Sequence, residues 1–236
     1  MQMVEDIRNF IGEREDAWHA KGWVGETVPL DERRNFQQAE EIGLKLFEGI
    51  GIPADYWRNS EIELERTLQR IEDDADMQMA ARNWPQMSRE EQRIILQKAV
   101  TVMAEEQTKQ AGMKIVPGTV GWVEGAAFEG NSSADYKDSP QDYKIELNSD
   151  KETLTEDFSS AIKCTLHEQI HVKQSNYAHA YRVSQLPSAF NDAARYFIRQ
   201  PDAYVPPWRS DRLYEAQPCE REALMATRSA RSLSPP

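Results

Sequence analysis

Apolar residues return at spacings of three and four through the first half of the chain, the signature of helices with one buried stripe. Val4, Ile7 and Ile11 open the series, and Ala39 to Phe47 (AEEIGLKLF) continue it until Gly49, Gly51 and Pro53 break it. Ser88 and Glu91 form a capping box ahead of Ile95, Leu96, Ala99, Val102 and Met103, which predicts a helix from about Ser88 to Gln110 that stops at Gly112. The pattern then changes period. MKIVPGTVGWVEGAAFEG reads as short strands and turns, Asn131 to Gln141 as a polar loop, and Tyr143 to Leu147 (YKIEL) alternates like a half-buried strand. Thr153 and Glu156 suggest a second capping box, opening a helix through Leu154, Phe158, Ala161, Ile162, Thr165 and Leu166. A further helical block follows Pro187 and is expected to end before Pro201. After the stiff Pro206-Pro207-Trp208 connector, a last helix runs from about Arg212 or Pro218 to Ser229, and the SLSPP tail is expected to fray. The expected fold class is α+β: a helical region over residues 1–112, then a domain over 113–236 with a small, mostly antiparallel sheet and two functional helices.

Composition narrows the partners. The 236 residues carry a formal net charge of −12, and no local basic patch offsets it, so nucleic acid is excluded as a natural partner. No run approaches the roughly 18 apolar residues of a membrane span. The N-terminal MQMVEDIRNFIGERED has neither the apolar core of a secretory signal nor the arginine bias of a transit peptide, so the expectation is a cytoplasmic chain, or one exported without a cleavable signal. Two cysteines, Cys164 and Cys219, are too few for a disulfide scaffold and read as reduced packing residues.

The chemistry is concentrated in His167-Glu168-Gln169-Ile170-His171, an HExxH motif that takes two of the chain's four histidines. On a helix, residues four apart stand one turn above each other, so both imidazoles can reach one metal ion. Glu168 is rotated by about 100° from His167 and projects beside the ion, where its carboxylate can take a proton from water.

The strand YKIELN followed by a helix bearing HEQIH resembles the zincin metallopeptidases, over roughly residues 113 to 232. The resemblance implies one catalytic Zn²⁺, Glu168 as general base, and hydrolysis of a peptide bond. It also implies that Tyr143 to Asn148 is an edge strand along which a protein or peptide substrate pairs. The third ligand separates the branches. A metzincin would need glycine at Gln174 and histidine at Tyr177, so that branch is excluded. His179 could ligate only if the helix broke after Gln174. A gluzincin-like branch takes a glutamate from a later helix, and Glu220-Arg221-Glu222-Ala223 fits its ExxA pattern. Glu220 is the first choice, with Glu222 and Glu215 as alternatives. Leu224 stands where that family often has a supporting aspartate, which leaves the support of the histidines unassigned. The oxyanion donor is expected from Tyr214, with Tyr204 and His179 as alternatives, and Gln174 is either a support for His171 or an exposed residue. Two other readings stay open: a zincin-like scaffold without catalysis, and a helical interaction protein in which HExxH is incidental. A structural zinc site using Cys164 and Cys219 is a further alternative. Within the peptidase reading, a toxin or injected effector and an ordinary cytoplasmic peptidase fit equally.

Overall fold

The computed structural model describes residues 2–21, 27–134, 142–207 and 209–229. Among these the chain is mostly helical, with one small sheet. The helices are α1 (Gln2–Ala20), α2 (Leu30–Glu48), α3 (Ala54–Glu72), α4 (Ala75–Asn83), α5 (Arg89–Ala111), α6 (Glu152–Glu156), α7 (Phe158–Arg182), α8 (Asn191–Ala203), α9 (Asp211–Ala216) and α10 (Pro218–Ser229). The strands are β1 (Thr119–Val123), β2 (Gly130–Ala134) and β3 (Tyr143–Asn148). No described helix is long and apolar enough to cross a membrane.

The chain folds into two compact units that do not follow a cut at residue 112. One comprises Met1–Ile52 with Tyr196–Arg221, the other Pro53–Arg195 with Glu222–Pro236. The division falls inside α10, a single continuous helix, so from Glu222 onward this helix belongs to the second unit.

In the first unit, α1 and α2 close over Ile11, Ala39, Phe47, Val205 and Leu213. Gly43 sits mid-helix because a Cβ there would come within 2.7 Å of Leu213 Cδ2. Gln217, just ahead of α10, accepts from Val205 N (2.9 Å) and donates to Val205 O (2.8 Å), which ties down the start of that helix.

The second unit is built on α5 and α7. Ser88 and Glu91 make the expected capping box of α5, and Gly112 ends it in the left-handed conformation, at φ 64°. Leu96, Ala99, Val100 and Met103 of α5 share one core with Ile145, Leu147, Ala161, Ile162 and Leu166. Side-chain amides fix the sheet to these helices. Gln97 donates to Gly118 O and accepts from Val120 N (3.0 and 2.9 Å), while Gln169 accepts from Gly118 N (3.0 Å). Asn176 in turn accepts from Val116 N (3.0 Å), so α7 grips the segment leading into β1 along its length.

Several expectations need correction. The sheet is mixed rather than mostly antiparallel: its order is β1-β3-β2, with β1–β3 parallel and β2–β3 antiparallel. Tyr143–Asn148 is therefore the central strand, not an edge, and both its sides are already paired. Its alternating pattern reports a buried face (Tyr143, Ile145 and Leu147), and that alternation is the same in a central strand as in an edge strand. Residues 131–134 of the expected polar loop form β2, while 135–141 lie outside the described residues, as do Trp208 and the SLSPP tail. The Thr153–Glu156 box does not form. Asp157, extended at φ −118° and ψ 110°, separates α6 from α7 and caps α7 itself by accepting from Ser159 N and Ser160 N. The helix after Pro187 runs past Pro201 to Ala203, with the proline in its last turn, where the lost N–H forfeits a single bond.

Removing the α7 cap should destabilise the unit without touching its core. Asp157→Ala should cost about 1 kcal/mol, lowering the melting temperature by roughly 2–4 °C in a thermal scan.

Candidate metal centre

α7 is unbroken from Phe158 to Arg182, so His167 and His171 stand one turn apart on one face. Their Nε2 atoms face each other at 3.2 Å. Two imidazoles ligating one zinc at about 2.0–2.1 Å and a tetrahedral angle would hold their nitrogens about 3.3 Å apart, so the pair is already spaced for a shared ion. Glu220, in the first turn of α10, is the third member of the group that could hold a metal ion. Ligand atoms of His167, His171 and Glu220 all lie within 4.8 Å of one another. Two imidazole nitrogens and one carboxylate oxygen form a donor set suited to a divalent ion.

Glu168 is not part of this trio. It is buried, and it lies against β2: a Cβ on Gly130 would stand 3.2 Å from Glu168 Cγ and Oε1, and 2.5 Å from Cys164 Sγ. Glycine at 130 is thus what lets the strand approach the acid so closely. β2 is also an edge. Asn148 N donates to Glu129 O (2.8 Å), and this register turns the N–H and C=O groups of Gly130 and Ser132 away from β3. On the other edge, at the start of β1, Gln97 takes Gly118 O and Val120 N.

The alternative ligands lie elsewhere. Glu222 is buried, but its carboxylate is engaged: Lys173 Nζ reaches Oε1 at 2.7 Å, Ser60 Oγ donates to Oε1 (2.6 Å), and Tyr56 OH and Gln174 Nε2 donate to Oε2 (2.8 and 2.9 Å). Glu215 is exposed on α9. His179 follows His171 by eight residues of unbroken helix, about 12 Å along the axis, which removes it as a ligand to the same ion. Tyr214 stacks edge-on with Tyr204, centroids 6.3 Å apart, within the first unit. Both cysteines are free thiols, and neither belongs to the ligand group. Burial, with Glu168 and Glu129 nearby, raises the Cys164 thiol pKa well above its ordinary value.

Gln174 supports the site. It is buried, and its Oε1 lies 3.0 Å from His171 Nδ1 while its Nε2 donates to Glu222. Behind it, Lys173 is also buried and sits between two carboxylates, Glu222 and Glu63 (3.0 Å to Glu63 Oε1). Burial opposes the ammonium charge, yet the two acids outweigh it and hold Lys173 protonated. Burial likewise works against the Glu222 anion, and Lys173 with its hydrogen bonds still lowers its pKa. One cation cannot balance both acids fully. Glu63, pushed by burial, is raised to about 7 despite Lys173. The sequence left Lys173, Glu63, Ser60 and Tyr56 unassigned, and no local signal marks them, because each partner comes from a distant segment.

No protein-family model, curated protein or solved structure matches this chain.

Replacing Lys173 with Met would leave two buried acids without their cation and should cost about 3–5 kcal/mol, read from denaturant unfolding. Because Glu63 has a higher pKa folded than its ordinary value of 4.5, its contribution to stability is complete below that value and is lost as pH rises through about 7. Wild type should therefore lose stability relative to Glu63→Gln over this window, measured as the pH dependence of the difference in unfolding free energy.

Proposed function

We propose that this chain is a zinc-dependent hydrolase of peptide bonds, holding the ion through His167, His171 and Glu220 and using Glu168 as general base. The observation that carries the reading is the facing pair of Nε2 atoms at 3.2 Å, with a Glu220 oxygen within 4.8 Å and Glu168 one residue along the same helix. Zinc, when bound, supplies Lewis acidity and brings the pKa of water toward neutrality. Glu168 takes the proton from the attacking water on its carboxylate and passes it to the leaving amine. Its burial under β2 keeps that carboxylate away from bulk water.

An extended substrate pairs with the outer edge of β2, using the N–H and C=O groups of Gly130 and Ser132, rather than with Tyr143–Asn148 as the resemblance implies. This supports a peptide, because only a chain with its own backbone amides can use those groups repeatedly. The resemblance to the gluzincin-like branch stands on HExxH and the later glutamate. The support expected at Leu224 is supplied here by Gln174.

Elemental analysis of protein purified without chelator should find one zinc per chain, and Glu220→Ala should lose most of it. Glu168→Gln should keep the zinc and lower cleavage of a denatured protein substrate by about 10²–10⁴-fold. Stoichiometric zinc with no cleavage, or with activity unchanged in Glu168→Gln, would instead indicate a zincin-like scaffold. Absence of zinc, and a melting temperature indifferent to chelator, would indicate a helical interaction protein.

A further inference from the structure

We propose that Glu222 is a positioning residue that sets the tautomer of His171 through the side-chain amide of Gln174; this rests on the metal-binding reading above. The argument follows donors and acceptors inward from the charge. Lys173 Nζ and Ser60 Oγ donate to Glu222 Oε1 at 2.7 and 2.6 Å, and Tyr56 OH donates to Oε2 at 2.8 Å, so this carboxylate is an acceptor in each of these contacts. Gln174 must therefore turn its NH₂ toward Glu222, as the 2.9 Å contact from Nε2 to Oε2 records. That leaves Oε1, which can only accept, facing His171 Nδ1 at 3.0 Å. His171 has to donate there, so its neutral ring carries the proton on Nδ1. The lone pair is then on Nε2, the atom that faces His167 Nε2. A glutamine between the imidazole and the acid passes on the directional instruction without placing a second negative charge on the ligand.

Two variants test the relay on the full-length chain. In Glu222→Gln, Ser60 and Lys173 still donate to the Oε1 position (2.6 and 2.7 Å in wild type), so the new amide oxygen belongs there and its NH₂ takes the Oε2 position, where the Tyr56 hydroxyl turns from donor to acceptor. Gln174 must then flip and donate to His171 Nδ1, which drives the ring proton to Nε2, the metal face. Gln174→Met removes the acceptor while leaving Glu222, Lys173 and Glu63 in place, so it carries the test if the first variant fails to fold.

The readout is long-range ¹⁵N–¹H correlation of labelled histidines in metal-free protein at about pH 8, above the ordinary histidine pKa. His171 should be Nδ1-protonated in wild type, Nε2-protonated in Glu222→Gln, and shifted away from the pure Nδ1 form in Gln174→Met. Competition for Zn²⁺ against a chromogenic chelator should show both variants binding about 10–100-fold more weakly. A wild-type His171 protonated on Nε2, or a tautomer unmoved by the variants that fold, would overturn the relay. A wild type that takes up no zinc would overturn the metal reading, and the tautomer, recorded without metal, would still judge the relay by itself.

Discussion

One lysine held between two buried carboxylates is the constraint on which the second unit turns. Lys173 of α7 joins Glu63 of α3 to Glu222 of α10, and Tyr56 and Ser60 of α3 supply further hydrogen bonds to Glu222. Buried charge is tolerated only when paired and fully hydrogen-bonded, so these three helices cannot slide relative to one another without exposing an uncompensated ion. The same arrangement has a direction. Glu222 is the better-satisfied acid and stays ionised, whereas Glu63 takes the remaining imbalance.

The parts of the molecule that could be read from sequence were local ones. HExxH specifies its geometry through helix periodicity alone, and the Ser88–Glu91 capping box reports itself within four residues. The choice of Glu220 over Glu222 and Glu215 leaned on the likeness to the ExxA pattern, and what was local in it is a helix start at Pro218 with an acid in its first turn. Where two local signals competed, sequence could not arbitrate. Thr153 and Asp157 are both polar residues ahead of an apolar run, and only backbone dihedrals show that the second one caps α7.

Long-range pairing was not legible. Gln174 meets Glu222 across 48 residues, and Lys173 meets Glu63 across 110, so nothing near either residue marks it as buried. Strand order was hidden for a similar reason: YKIELN alternates as either position would require, and its place in the centre depends on Thr119–Val123 and Gly130–Ala134 arriving on opposite sides. Even inside the motif, one of the unspecified positions has a defined task. Gln169 points away from the imidazoles, binding Gly118 N and Gln107 Oε1, and so anchors the motif to the strand entry and to α5.

The bare Cα of Gly130 has a consequence for thiol chemistry. The space a methyl would need there is already filled by the sulfur of Cys164, with Glu168 alongside. Any atom added to that sulfur, by alkylation or by oxidation, has to push either the strand or the acid out of place. Burial and neighbouring acids suppress the thiolate, so such modification would be slow. Gradual loss of the native fold under a thiol reagent would therefore be a steric result in this chain.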